Sequence, residues 1–109
     1  MPTDSGYPDS APAIDQLLET LCHPVRREII DYFENVSESK TGSVPELTAH
    51  LTSRLPSATD ESIRVELSHV HLPKLGKRGW LDYGSESGHI EYHGHPEARA
   101  LLDDVRAIF

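Results

Sequence analysis

The sequence predicts a mainly α-helical domain carrying one two-stranded β-hairpin. Three observations predict it. Apolar residues recur at helical spacing from Ile14 to Val70. The period then changes to alternation over Trp80–Tyr83 and His89–His93, and helical spacing returns from Ala98 to Ile108. With 109 residues, the chain has room for one small core and no more.

Residues 1–10 are polar and rich in Pro, Ser and Asp, and read as a disordered segment. They have neither the basic start nor the apolar centre of a signal peptide. Ile14, Leu17, Leu18 and Leu21 then form the i, i+3, i+4, i+7 stripe of a helix, with Pro12 in its first turn. His23-Pro24 breaks the chain and restarts it. Val25, Ile29, Tyr32, Phe33 and Val36 form a second stripe, with Arg26, Arg27, Glu28 and Asp31 on its wet side. Residues 37–42 read as a polar turn. Ser43-Val44-Pro45-Glu46 signals a helix start: Ser43 caps, Pro45 suits the first turn, and Glu46 is placed to reach back to the Ser43 amide. That helix runs through Leu47 and Leu51 to about Arg54 and stops at Pro56. Ser57-Ala58-Thr59-Asp60 caps the next one, which points Ile63, Leu67 and Val70 inward. Gly79 ends it. In the hairpin, Ile90 and Tyr92 face one way and His89, Glu91 and His93 the other, with Gly84–Gly88 as the turn. Pro96 opens a last helix with Ala98, Leu101, Leu102, Val105 and Ile108 on one side.

Pro73 falls inside the fourth helical stretch. On a straight helix Leu72 and Leu75 lie about 100° or more round from the side that holds Ile63, Leu67 and Val70. Pro73 has no amide to give the His69 carbonyl, and its ring crowds that carbonyl. A kink or single-turn bulge there swings the second apolar set inward. The other reading is that Pro73 starts a separate helical turn.

Two short helices followed directly by a hairpin is the winged helix-turn-helix plan. It assigns residues 11–94 to the winged domain and 95–109 to a C-terminal helix used for dimerisation. The stretch "HLPKLGKRGWLDY" resembles the ArsR-like winged-helix regulators. His71-Leu72, Leu75 and Gly79-Trp80 match their His-Leu, Leu and Gly-plus-large-apolar spacing, and "HPVRREIIDYF" is similar to their second helix. "HVHLPKLGKRGWLDY" most resembles small winged-helix proteins of halophilic archaea. The resemblance spans roughly Leu18 to Tyr92. It implies a cytoplasmic, often homodimeric transcriptional regulator whose helix after Thr59 enters the major groove of double-stranded DNA. The wing departs from the pattern: Gly84–Gly88 has no Arg or Lys and carries Glu86.

Charge pulls against plain electrostatic binding. There are 18 acidic and 10 basic residues, giving a net charge of −8. Only Lys40, Lys74 and Lys77 are lysines, and an acidic, lysine-poor composition is common in proteins from salt-loving cells. With the inward set fixed, Ser62, Val65, Ser68 and His69 face outward with Arg64 beside them, and are the candidates to read base edges. Lys74, Lys77 and Arg78 cluster at the helix end as candidates to hold phosphates. Ile14, Leu17, Leu21, Leu101, Leu102, Val105 and Phe109 supply more apolar surface than one small core needs, and are assigned to a dimer interface. The rival function is a winged-helix module for protein contacts, favoured by the charge and the acidic wing, and a third is a metal- or redox-responsive sensor.

The histidine pairs His69/His71, His89/His93 and His93/His95 form no plain metal-ligand pattern, so no metal or other cofactor is assigned. His71 reads as a packing or hydrogen-bonding residue against the hairpin. The single cysteine, Cys22, fits a reducing compartment and reads as a small buried hydrophobe. No apolar run is long enough to span a bilayer. No glycine-rich phosphate loop or nucleophile elbow marks an enzyme.

Overall fold

The computed structural model describes residues 11–108, with side chains from 15 onward. The expected disorder of residues 1–10, and the interface roles given to Ile14 and Phe109, lie outside the described residues and side chains.

Helix α1 (Ala11–Leu21) ends where Cys22 and His23 break the chain. Cys22 is exposed, not buried as its composition suggested; its thiol donates to the Glu19 carbonyl. His23 caps α2 (Pro24–Asp31): its Nδ1 accepts the Val25 amide at 3.1 Å, with Pro24 in the first turn. α2 widens directly into a π-helical turn, Tyr32–Val36, closed by a bond from the Ser37 amide to the Tyr32 carbonyl. The wide turn holds one residue more per revolution. Val25, Ile29, Ile30 and Phe33 therefore stay buried, while Val36, expected on the same stripe, is turned out to solvent.

Thr41–Ser43, expected within or beside a turn, is strand β1. α3 (Val44–Arg54) follows with Ser43 as its cap. The Ser43 hydroxyl accepts the Glu46 amide at 3.3 Å and donates to the Glu46 carboxylate at 3.0 Å, so Glu46 takes the hydroxyl and not the expected amide. α4 (Asp60–Glu66), a second π turn (Leu67–His71) and α5 (Leu72–Lys77) form one continuous helical segment. This is the single-turn bulge expected near Pro73. Pro73 falls in the first turn of α5, where a missing amide costs little. Ile63, Leu67, His71, Leu72 and Leu75 all reach the interior. Val70, expected inward with Ile63 and Leu67, is 49 % exposed, because the extra residue of the π turn moves its place on the inner side to His71. Gly79 stops the segment at φ +80°, the left-handed conformation glycine supplies without strain.

β2 (Leu81–Tyr83) and β3 (His89–Tyr92) make the expected hairpin, with Leu81 opposite Tyr92 and Tyr83 opposite Ile90. β1 adds to the far edge of β3, with Thr41 opposite Glu91 and Ser43 opposite His89. The sheet is thus three-stranded and antiparallel, in the order β1-β3-β2, and the two-stranded expectation is corrected. Ile90 and Tyr92 point into the core as expected, and Phe33 stacks on Tyr92 with centroids 5.0 Å apart.

α6 (Ala98–Ile108) packs against α2. Arg106 pins it there, with bonds to Asp31 at 3.1 Å and Glu28 at 3.0 Å. Ala98, Leu102 and Val105 are buried in the chain's own core, as is Leu21 of α1. Assigning Leu21, Leu102 and Val105 to a dimer interface is therefore corrected: one core consumes both helical faces. Leu17 and Leu101 are partly buried against the same core. Among the described side chains of α1 and α6, the exposed large apolar ones are Leu18 and Ile108. No helix among the described residues is long and apolar enough to cross a membrane.

Candidate nucleic-acid interface

The segment α4–π–α5 presents its outward side beside the wing. Its start is rigid: the Thr59 hydroxyl accepts the Ser62 amide at 3.1 Å, and the Ser62 hydroxyl accepts the Thr59 amide at 3.3 Å. This reciprocal cap also occupies Ser62, whose hydroxyl donates to the Thr59 carbonyl. Arg64, Val65 and His69 are exposed as expected, with Val65 at 53 %. Val70 joins them, a residue the sequence reading had placed inside. Ser68 is half-buried and lines a shallow groove between the helical segment and the wing, with Pro73, Gly76, Asp82, Tyr83 and Ser85.

The three cations at the end of the segment do not act together. Lys74 and Arg78 turn back to Glu19 of α1, Lys74 at 3.3 Å and Arg78 through a short ion pair. Arg78 also donates to the Thr20 hydroxyl at 2.7 Å. Buried Arg26 of α2 joins the same carboxylate at 3.1 Å. Glu19 thus clamps α1, α2 and α5 through three cations. The Arg78 bond, with help from Lys74 and Arg26 and against some desolvation, holds its carboxyl below the usual range. Nothing in a helical stripe points to this clamp, which links positions 55 and 59 residues apart. Lys77 alone of the three stays exposed.

Elsewhere the basic side chains are also engaged. Arg54 and Arg106 pair with Glu28, and Arg99 pairs with Glu34. Lys40 and Arg27 donate to backbone carbonyls. Among the described residues, Arg64 and Lys77 are the cations left without a bonded partner, and both lie on α4–π–α5. The wing tip carries exposed Glu86. On the outer face of the sheet Asp82 stands opposite Glu91 and binds His93 at 2.8 Å.

His71 is 1 % exposed, and its ring lies 4.4 Å from that of His23 at the α1–α2 junction. Its Nε2 is 3.3 Å from Glu66, and its Nδ1 has no partner among the described residues. Burial holds the pKa of both His71 and His23 below the ordinary histidine value, with Glu66 pulling the other way.

A mainly helical chain with a small three-stranded antiparallel sheet is compatible with a winged-helix-like fold. The chain belongs to the family described as Domain of unknown function (DUF7344), which it matches over residues 18–91. That span runs from within α1 to β3 and leaves out α6. No curated protein and no solved structure matches the chain.

Proposed function

We propose that this domain is a transcriptional regulator of the ArsR-like kind that binds double-stranded DNA, with α4 and its π turn in the major groove. The observation that carries the reading is the placement of free positive charge. The domain engages its other cations internally and leaves Arg64 and Lys77 on the one helical segment a winged helix lays against DNA. Between them stand His69 and Ser68, able to hydrogen-bond base edges, and Val65, able to meet a thymine methyl. Two cations supply little counterion release, and at molar salt that drive is largely gone in any case. Discrimination by base-edge contacts then dominates, which suits the salt-rich cytoplasm the composition suggests. A homodimer on a palindromic site presents two such helices about 34 Å apart. With Leu21, Leu102 and Val105 inside, Leu18 and Ile108 are, among the described residues of α1 and α6, exposed apolar groups open to such a contact.

One observation favours the rival reading, a protein-binding module: Val65 and Val70 expose apolar surface beside an acidic wing. Genome-wide immunoprecipitation at native salt, followed by titration of a recovered fragment at several salt concentrations, separates the two. Arg64→Gln and Lys77→Gln should each lower the slope of log K against log salt by about 0.9 if each cation meets one phosphate. His69→Ala should relax sequence preference. Failure to recover specific fragments, or unchanged slopes in both charge variants, rejects DNA as the ligand of this face.

A further inference from the structure

We propose that His23, Glu66 and His71 form a binding site for a divalent first-row transition metal, with Zn²⁺ the best match. The donor atoms of these three side chains lie within 4.8 Å of one another. His71 Nε2 and Glu66 Oε1 are 3.3 Å apart, close to the spacing of two donors on a tetrahedral ion with bonds of about 2.0–2.1 Å. Two imidazoles and a carboxylate, with a fourth position left to water, is a zinc donor set, and the nitrogen ligands count against Mg²⁺ and Ca²⁺. His71 itself calls for an explanation. It is a polar ring in the core with one long polar contact and one buried nitrogen without a partner among the described residues. An ion at Nε2 would replace that long contact with a coordinate bond and put the ring's proton on Nδ1, which stays buried. Three cations act on His23: Arg26 and Lys74 are each paired with Glu19, which offsets their repulsion of an incoming ion, while Arg27 donates to the Leu21 carbonyl.

Binding carries a local consequence. His23 Nδ1 now accepts the Val25 amide. Ligation through Nε2 places the ring's proton on Nδ1, turns that acceptor into a donor, and releases the cap of α2. Movement on the order of 1 Å brings His23 and half-exposed Glu66 to ligand distance. The ion then ties the α1–α2 junction to the last residue of the π turn that holds His69 and Val70 outward. This inference stands whether or not that face binds DNA.

The test is calorimetric titration of the chelator-treated full chain with ZnCl₂ at neutral pH in molar KCl, with Co²⁺ absorption as the probe of coordination. His23→Asn removes the imidazole but keeps a capping side chain, and Glu66→Gln alters a half-exposed residue. Circular dichroism checks each fold, and should His23→Asn unfold, Glu66→Gln carries the comparison. We expect one ion per chain, a tetrahedral Co²⁺ spectrum and a shifted Val25 amide resonance on Zn²⁺ addition. Binding should weaken at least tenfold in both variants and stay unchanged in His93→Asn, which removes the exposed Asp82–Glu91–His93 cluster from competition. Absence of stoichiometric binding overturns the proposal. So does binding that survives both variants, or that is lost in His93→Asn.

Discussion

Leu102→Ala distinguishes a helix that closes its own domain from one that waits for a second chain. Leu102 is fully buried, and α6 is pinned to α2 by Arg106. Truncation removes the hydrophobic transfer of the lost carbons, at about 0.8 kcal/mol for each methylene-sized group. It also leaves a cavity that a helix anchored by ion pairs cannot easily collapse. The expected loss is about 2–5 kcal/mol. Set against a total stability of about 5–15 kcal/mol for a domain of this size, that is a large fraction. Urea denaturation followed by circular dichroism at molar KCl, repeated over a hundredfold range of protein concentration, provides the assay. We expect the midpoint to fall by the same amount at every concentration. A cost below about 1 kcal/mol, or a midpoint that rises with protein concentration in the parent and loses that dependence in the variant, refutes the assignment of Leu102 to the intrachain core.

Three further outcomes follow from the structure. Burial lowers the pKa of His71, His50 and His23, so below about pH 6.5 the unfolded chain takes up protons that the folded one refuses. Stability is then fully present above that pH and declines as pH falls through it; urea midpoints measured in chelator between pH 7.5 and 5 should decrease, and His71→Asn should flatten the decline. Thr59→Ala removes the reciprocal cap of α4 and should cost about 1 kcal/mol by the same assay. A chain of net charge −8 should melt lower in dilute buffer than in molar KCl, and equal midpoints would remove the argument for a salt-adapted composition.

The parts legible in the sequence were those that short-range chemistry decides. Ser43 and Thr59 cap helices because their hydroxyls meet amides three residues on, and Ile90 and Tyr92 turn inward because strand period and burial coincide. β1 was not legible: Thr41-Gly42-Ser43 has no apolar alternation, and it becomes a strand only because β3 offers an open edge. The candidate interface was legible in part. Arg64, Val65, His69 and Lys77 stand outside where helical phase puts them. Lys74 and Arg78 do not stand free, since their placement depends on a carboxylate from the far end of the chain. Leu102 and Val105 looked surplus because the N-terminal stripes seemed to fill the core, yet both are buried while Val36 and Val70 are turned outward.

The second π turn has an arithmetic of its own. Ile63, Leu67, His71, Leu72 and Leu75 are all buried. Remove one residue between Leu67 and His71, and those five fall at i, i+4, i+7, i+8 and i+11, an unbroken α-helical stripe. The inward stripe alone is thus equally served by a chain one residue shorter, but that chain sets Pro73 inside an unbroken α-helix, where its missing amide and its ring cost about 3 kcal/mol. What the surplus residue alters is the outer surface, where it determines which side chains stand between Val65 and Lys77.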